Sequence, residues 1–394
     1  MVAGCSTQTS ASDASTDADA SSPVEIDYFQ LAVNGAPIGS LLSVWVQPPA
    51  TTDALPNTAF LAGGYVGVDP ALVADGAVGR LVEYTRPGTF VTRCTTDQVL
   101  WWVTGTQDTD GTYVVYAAGE GGRLIRYRAG HCDELSAAPI FSGGVPNFWG
   151  VVARDPNDVW MVGGRIGPLH HGAIVHFDGM NFAEETVPFS DNTNFYKIAL
   201  ATSSANEALF VVGSGGTILR RSLPGATWER VSSDARTNDN TLFTVNCQDS
   251  GCYAVGGNAV GLVMRGSLSQ TSWSTVSQLG GVDGNDIPGL NGVWVESPDS
   301  VFMSGPYGFL LHATPTQAFR PRLTVATIHA IHGHVAPTGA ASLVIGVGGE
   351  LSVSNATQRA LVVVRGDSSS TFTLDGHTYA GINGLSTAQP GFGQ

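Results

Sequence analysis

One pattern of residues recurs seven times along the chain and constrains its fold more than any other feature. Each copy has an apolar strand, a turn, a second apolar strand that ends in glycine, and a Gly-x-apolar-apolar motif. Apolar anchors of the first strands are Val44, Trp102, Val151, Ile198, Val245, Val293 and Ile331; closing glycines are Gly63, Gly119, Gly163, Gly213, Gly256, Gly305 and Gly346. The central anchors lie 49, 47, 47 and 48 residues apart. Four short strands in a repeat of that length indicate a propeller blade.

The repeats predict an all-β fold, a single β-propeller of seven four-stranded blades over residues 24–380. Abundant glycine (50 residues) and few charged residues (13%) fit a protein of many short strands and tight turns. Two segments could supply the strand that closes the ring, residues 24–31 and residues 360–364, and the sequence does not choose between them. Residues 381–394 are predicted to be a C-terminal tail.

The best-formed copy, residues 148–182, reads FWGVVARDPNDVWMVGGRIGPLHHGAIVHFDGMNF. It resembles a propeller repeat of secreted and lipidated proteins from myxobacteria and their relatives. More distantly, the pattern is similar to photosystem assembly-factor propellers and sialidase-type propellers. The resemblance covers about residues 40–355. It implies a fold and no particular activity, because propellers support many unrelated functions.

Four of the five cysteines are positioned to form two disulfides. Cys247 and Cys252 flank a short loop that would join antiparallel strands, and Cys94 and Cys132 lie near the outer ends of successive repeats. Two disulfides are typical of a protein in an oxidising compartment. The alternative is a set of scattered, buried thiols.

The fifth cysteine lies in Val-Ala-Gly-Cys, residues 2–5, which resembles a bacterial lipobox. Residues 6–22 are almost wholly Ser, Thr, Ala and Asp, a composition that cannot form a core. We therefore predict that residues 1–23 are a lipobox remnant and a flexible tether, with lipid on Cys5. Ser6, rather than Asp, after the cysteine favours the outer membrane. The protein is expected to be exported to the cell envelope as an outer-membrane lipoprotein.

The charge of the chain excludes some partners. The formal net charge is −15, which disfavours nucleic acid and electrostatic docking on anionic lipid. No run of eighteen apolar residues occurs, so a membrane is expected to be reached only through the N-terminal lipid.

Five inner-strand residues are predicted to form a ligand site in the axial channel. The only lysine, Lys197, lies just before a first-strand anchor, where Asn246 and His332 are also expected to point. Trp45 and Trp294 adjoin them. A cation, two hydrogen-bonding groups and flat apolar surfaces suit an acidic peptide or a sugar. The alternatives are a solvated lysine and tryptophans packed between blades.

Metal sites are weaker candidates, and no cofactor is predicted. His332 and His334 share one face of a strand and could hold a transition metal if a third ligand joined them. The acidic turns at residues 108–111 and 283–286 could hold calcium, although Asp-Gly is also a common hairpin turn. His170 and His171 could add ligands if their loop folds back.

The third strands carry a recurrent cation directly after their apolar pair, which we predict to be a hydrogen-bond donor between blades. These cations are Arg126, His176, Arg220, Arg265 and His312. No Gly-x-Ser-x-Gly, His-Glu-x-x-His or phosphate-loop motif is present. The sequence thus predicts a non-catalytic surface propeller that binds a protein or glycan at one face. The alternative is a carbohydrate- or lactone-active enzyme with a metal at the channel mouth.

Overall fold

The chain forms a ring of antiparallel sheets in a computed structural model. The structure describes residues 28–32, 38–49, 54, 56–165, 172–188, 193–234, 240–320, 326–335, 341–351, 358–365 and 371–380. Among these residues there is no α-helix, only short 3-10 turns. The turns are Pro70–Leu72, Glu120–Gly122, Ala138–Ile140, Ser214–Gly216, Gly284–Asp286 and Pro306–Gly308. The predicted all-β propeller of seven four-stranded blades is confirmed.

The strands are numbered in chain order and fall into seven blades. Blade 1 contains β2 (Ser40–Val46), β3 (Thr58–Gly64), β4 (Gly79–Thr85) and β5 (Thr89–Thr96). Blade 2 contains β6 (Leu100–Gln107), β7 (Tyr113–Gly119), β8 (Arg123–Arg128) and β9 (His131–Ser136). Blade 3 contains β10 (Asn147–Asp155), β11 (Asp158–Gly164), β12 (Gly172–Phe177) and β13 (Phe182–Glu184). Blade 4 contains β14 (Phe195–Thr202), β15 (Glu207–Gly213), β16 (Ile218–Leu223) and β17 (Glu229–Arg230).

The remaining blades follow the same order. Blade 5 contains β19 (Leu242–Gln248), β20 (Gly251–Gly256), β21 (Leu262–Ser267) and β22 (Ser272–Thr275), with β18 (Ser232–Ser233) added in parallel to β22. Blade 6 contains β25 (Gly292–Ser297), β26 (Ser300–Ser304), β27 (Leu310–Ala313) and β28 (Ala318–Phe319). A small hairpin of β23 (Gln278–Leu279) and β24 (Val282–Asp283) precedes it. Blade 7 contains β29 (Thr327–Val335), β30 (Ala341–Gly349), β31 (Ala360–Arg365) and β1 (Tyr28–Ala32).

The two candidate closing segments are both used in blade 7. Its third strand is β31, and its fourth is β1 from the other end of the chain. The two strands pair antiparallel from Tyr28 opposite Arg365 to Ala32 opposite Leu361. Farther along, β32 (Thr371–Leu374) pairs in parallel with β5 and forms a hairpin with β33 (His377–Ala380). Both ends of the described chain are therefore bound into blades.

The first strand of each blade lies innermost. These strands contact one another in sequence around the whole ring, and β29 of blade 7 contacts β2 of blade 1. Each sheet is covered on both faces by its neighbours, so the second strands are almost continuously buried apolar runs rather than alternating ones. The core is thus a set of apolar clusters between consecutive blades.

A bulge interrupts the first strand in six blades. One extra residue lies near the start of each of these strands, so that two residues face one on the second strand. The extra residues are Leu42, Trp101, Trp149, Tyr196, Phe243 and His329. A bulge re-aims a side chain away from the two faces of its sheet. Four of the six bulge residues are half-buried aromatic residues, whereas Leu42 is buried in an apolar cluster that Trp101 also contacts.

The recurrent glycine of the second strand is required by close approach of backbone. A Cβ atom at Gly163 would lie 1.8 Å from the Asn147 carbonyl oxygen, and one at Gly256 would lie 2.0 Å from that of Thr241. Neither glycine has a positive φ, so the space, and not the backbone conformation, excludes a side chain. In blade 7 the glycine in this place is Gly348, opposite Ile328, and the predicted Gly346 lies two residues too early.

The anchor predicted for blade 2 was also out of register by one residue. Trp102 pairs with Ala118 directly after the bulge, as Gly150 pairs with Val162 in blade 3. Val103 is therefore the anchor equivalent to Val151. The prediction chose the larger apolar residue, whereas the bulge at Trp101 shifts the pattern by one.

Both predicted disulfides are present. Cys94 and Cys132 join the outer strands of blades 1 and 2, and Cys247 and Cys252 face each other across β19 and β20. The first spans 38 residues and the second only 5. Because a longer closed loop restricts the unfolded chain more, the bond between blades is expected to be the more stabilising one. Cys5, the predicted lipidation site, lies outside the described residues, as do His170 and His171.

Candidate functional site: the channel mouth

The connections of the blades divide between two faces of the ring. One face carries the turns between second and third strands and the connections that lead into each first strand; we call it the mouth face. The bulges lie on this side because they fall near the start of the first strands. The innermost residues of the mouth face therefore surround one end of the axial channel.

Four aromatic side chains occupy the bulges of blades 2 to 5, and we call them the aromatic row. They are Trp101, Trp149, Tyr196 and Phe243, all half-buried. The ring centroids of Trp149 and Tyr196 are 5.3 Å apart, and those of Tyr196 and Phe243 are 5.6 Å apart. These distances are within the range of aromatic contact, so Trp149, Tyr196 and Phe243 form a continuous aromatic surface at the channel mouth, with neighbouring rings tilted by 31° and 58°.

The prediction missed the aromatic row, although a signal for it is present. The four residues are spaced by 48, 47 and 47 positions, the period of the repeat itself. In blades 3 to 5 the aromatic residue stands just before the small or polar residue that precedes an anchor, and in blade 2 Trp101 stands before Trp102. Recognising the bulge would have separated this column from the core column beside it.

Glu120 lies next to the row, at the start of the turn between β7 and β8. Its Oε1 accepts a hydrogen bond of 3.1 Å from Trp101 Nε1. The following residue, Gly121, donates its backbone N–H to Asn147 Oδ1 at 3.0 Å, and this holds the turn against β10 of blade 3. Burial raises the pKa of Glu120, and the bond from Trp101 only partly opposes that effect.

Large exposed apolar side chains are concentrated on the mouth face. Six occur among the described residues, and five of them lie in its turns and connections. The five are Leu72, Ile140, Val145, Val260 and Tyr307. The sixth, Met180, lies in the turn between β12 and β13 on the opposite face. The exposed large apolar side chains of the described residues are therefore distributed unevenly between the two faces, and the mouth face has most of them.

Tyr307 combines exposure with an unfavourable backbone. Its side chain is 80% exposed, and its φ and ψ are 54° and 35°, in the left-handed region. The same place in blades 2 and 4 is taken by Gly121 and Gly215, both at φ 61°. A side chain in this conformation costs about 1 kcal/mol relative to the right-handed region. At this position an exposed aromatic side chain is therefore present in spite of an unfavourable backbone conformation.

Lys197 is buried deeper in the channel. The side chain is 9% exposed; its Nζ donates to the carbonyl oxygen of Trp149 in blade 3 and lies 4.2 Å from the centroid of the Trp102 ring in blade 2. Burial lowers its pKa to about 7. The prediction placed the lysine beside Asn246 and His332, but the structure brings it to the indole of Trp102, which the prediction had treated as a core anchor.

His329 of blade 7 faces the same interior. Burial lowers its pKa to about 4, a hydrogen bond with the Gly349 backbone opposes this, and the nearby Lys197 adds to it. Its Nε2 is buried and has no hydrogen-bond partner among the described residues. The pKa of His329 in blade 7 is thus influenced by a charged side chain of blade 4.

Asn246 and His332 join adjacent inner strands. Asn246 Oδ1 accepts the backbone N–H of Val295 in blade 6 at 2.8 Å, and His332 Nδ1 accepts that of Val46 in blade 1 at 3.1 Å. Burial lowers the pKa of His332 to about 4, and His334 adds a smaller effect in the same direction. As members of a ligand site these residues stay a prediction, because their observed bonds hold blades together.

Trp45 and Trp294 pack between blades instead of lining the channel. Each ring lies over a glycine of the next blade: a Cβ at Gly105 would be 2.4 Å from the Trp45 ring, and one at Gly333 would be 2.6 Å from Trp294 Cη2. Both tryptophans are buried, as the alternative interpretation had it. The aromatic side chains that lie at the mouth are instead those of the aromatic row.

The metal candidates have other observed contacts. In the described part of the chain, no three His, Cys, Asp or Glu side chains come together in a way that could hold a metal ion. The acidic turn at residues 108–111 is bridged by Arg128, 2.8 Å from a carboxylate oxygen of both Asp108 and Asp110. In the turn at residues 283–286, Asp283 accepts a hydrogen bond from the Asn285 backbone.

The prediction that third-strand cations bond between blades was wrong for most of them. Arg126 pairs with Asp133 and Arg220 with Glu229, both within the same blade. His176 and His312 contact Asp158 and Glu296, also within their blades. Only Arg265 reaches the next blade, at Asp299. A cation on the third strand meets the neighbouring strands of its own sheet first, since cross-strand partners lie closest.

Comparison with known proteins identifies relatives by fold alone. No protein-family model and no curated protein sequence matches the chain. Among solved structures, it is similar to "YCF48 bound to D1 peptide", with a TM-score of 0.55, 14% identity, and coverage of 87% of this chain and 96% of that one. A second similar structure is YCF48 from Cyanidioschyzon merolae, with a TM-score of 0.55, 13% identity, and coverage of 85% and 98%.

A third similar structure, the RRP9 WD40 repeats, has a TM-score of 0.58 and 11% identity, and the match covers 86% of this chain and all of that one. The predicted distant resemblance to photosystem assembly-factor propellers is supported at the level of fold. The resemblance to myxobacterial propellers stays a prediction. Within the described ranges, no helix is long and apolar enough to span a bilayer.

Proposed function

We propose that this protein is a non-catalytic binding propeller that engages a protein partner through its mouth face. The observation that carries the proposal is the placement of five of the six large exposed apolar side chains on that face. The aromatic row adds flat half-buried surface at the centre, where interfaces have their most strongly bound residues. One structure of similar fold is described as bound to a peptide, which is compatible with this use of a propeller.

Tyr307 is the residue best suited to test the proposal. A photoreactive benzoylphenylalanine at position 307 should cross-link to a discrete protein in envelope extract of the native host. The same group at position 180, which is 87% exposed on the opposite face, is the matched control and should give no such product. Equal cross-linking from both positions, or cross-linking only from 180, would contradict use of the mouth face.

Unlabelled protein provides the second half of this test. Wild-type protein should compete for the cross-linked partner, whereas Tyr307→Gly should compete at least several-fold less well. The stability of Tyr307→Gly should be unchanged or higher by up to about 1 kcal/mol, because glycine relieves the left-handed strain. Weak competition accompanied by a lower melting temperature would instead indicate damage to the fold.

We further propose that Cys5 carries lipid and anchors the propeller at the outer membrane. The lipobox-like residues 2–5 and the Ser/Thr/Ala/Asp-rich residues 6–22 support this, and two disulfides suit an exported protein. A binding disc on a flexible tether could reach partners some distance from the membrane.

Fractionation tests the anchor. Behind a lipoprotein signal peptide in a Gram-negative host, wild-type protein should appear in the outer-membrane fraction and require detergent for release. Cys5→Ser should remove membrane retention, and Ser6→Asp should move the protein to the inner-membrane fraction while keeping the lipid. Soluble, unmodified wild-type protein would overturn the proposal.

A further inference from the structure

Among the described residues, the half-buried carboxylates are paired with cations, with one exception. Six of the described ones face an arginine or histidine: Glu83 with Arg93, Asp108 with Arg128, Asp158 and Glu207 with Arg154, Glu185 with Arg221, and Glu296 with His312. The exception is Glu120, which has no ion pair with any described residue and a single side-chain hydrogen bond, from Trp101. A partly desolvated carboxylate without a cation is unfavourable, so this arrangement calls for an explanation.

The surroundings of Glu120 are those of a cation site. Its turn packs against β10, which carries Trp149, and Trp101 touches the carboxylate directly. Indole rings attract cations through their π faces, most strongly where water is partly excluded. The one lysine, Lys197, is buried against Trp102 and is bonded to a carbonyl, so it does not neutralise Glu120.

The protein contains a filled example of the same arrangement. Arg221 pairs with the half-buried Glu185, and its guanidinium lies 4.8 Å from the centroid of the Trp160 ring. Carboxylate, indole and guanidinium are therefore combined within the fold. At Glu120 and Trp101 the carboxylate and the indole are present on the mouth face, and the cation is not supplied by the described chain.

We propose that Glu120, Trp101 and Trp149 form a subsite for a cationic side chain, arginine or lysine, of the bound protein. This inference rests on the proposed function and names the chemistry of the partner: a basic segment that crosses the aromatic row. The net charge of −15 would attract such a segment from a distance. The expectation of an acidic ligand depended on Lys197, which is instead enclosed by Trp102 and Trp149.

The test uses acetyl-tetraarginine amide as the probe and the neutral isostere acetyl-tetracitrulline amide as its control. Calorimetric titration of the whole protein at low ionic strength should detect the arginine peptide, with citrulline at least tenfold weaker. Glu120→Gln should weaken arginine binding by roughly 10-fold or more, since a charge-assisted bond is lost while Trp101 keeps an acceptor. Trp101→Leu should also weaken it.

Glu184→Gln is the matched control, because it removes the same charge from an exposed site on the outer strand of blade 3. Equal binding by Glu120→Gln and Glu184→Gln would mean that only general acidity attracts the peptide, and would overturn the subsite. So would equal binding of the citrulline peptide, or binding of a neutral hexasaccharide in place of both. If the subsite fails in one of these ways but cross-linking at position 307 persists, the proposed function still holds. Failure of the subsite can therefore be distinguished from failure of the proposed function.

Discussion

A variant that lacks residues 1–34 should be markedly less stable to unfolding and should self-associate. Removal of β1 leaves β31 as an edge strand, and residues 360–364 of that strand are a run of five buried apolar residues. Loss of the paired strand and exposure of the β31 side chains should lower the free energy of unfolding by roughly 3 kcal/mol or more. An unpaired apolar edge also serves as a template for pairing with another chain.

Thermal unfolding and sedimentation measure both effects. The melting temperature should fall by roughly 4 °C or more, and dimers or larger species should appear. The control is a protein that lacks only residues 1–23, the predicted tether, which should melt as the full chain does. A monomeric truncated protein with an unchanged melting temperature would show that β1 does not close the ring.

Acidification between pH 6.5 and pH 4 should destabilise the protein strongly. His329 and His332 have pKa values of about 4 in the folded protein, below the ordinary 6.5, chiefly because of burial. In this window the unfolded chain binds protons that the folded chain excludes, so stability falls as pH falls. The loss is at most about 3 kcal/mol per histidine. Asp158, with a pKa of about 2, contributes only at lower pH.

The ring itself suggests the variants for this test. In blade 5, Asn246 makes the hydrogen bond between blades that His332 makes in blade 7. In blade 6, Asn291 occupies the repeat position that His329 occupies in blade 7. The double variant His329→Asn/His332→Asn should therefore keep the contacts and flatten the pH profile from denaturant titrations. His377→Asn, at an exposed imidazole, should leave the profile steep. A double variant as acid-sensitive as wild type would contradict the assignment.

Because of Lys197, the stability of the folded protein should also rise with pH above neutrality. Its folded pKa of about 7 lies below the ordinary 10.5, so the unfolded chain keeps a proton between these values that the folded chain has lost. Stability should accordingly continue to rise from pH 7 toward pH 10.5. The measurement is the same denaturant titration carried to alkaline pH.

The repeat predicted the blades, and local register limited what else could be predicted. Regular spacing of anchors and glycines determined the number of blades, but an inserted bulge moves a core position by one residue, as at Trp102 and Val103. The displaced Gly346 has a similar origin, because the seventh copy is the most divergent. Closure by β1 depends on contact between chain ends, which no local pattern reports.

The site was less predictable for a different reason. Lys197, Trp102 and His329 belong to blades 4, 2 and 7, and their meeting depends on the diameter of the ring. Glu120 looks like an ordinary turn residue in the sequence. Its significance is that no described residue forms an ion pair with it, and that is a property of the assembled surface.

The bulges of the inner strands have a consequence for how such a ring can change over generations. An extra residue falls outside the regular alternation of its strand, and in this chain the position holds leucine, tryptophan, tyrosine, phenylalanine and histidine without loss of the flanking pairs. In blades 2 to 5 the bulge thus provides one half-buried, variable position at the channel mouth. Single substitutions at these positions can change what the mouth recognises, while the paired strands on either side are retained.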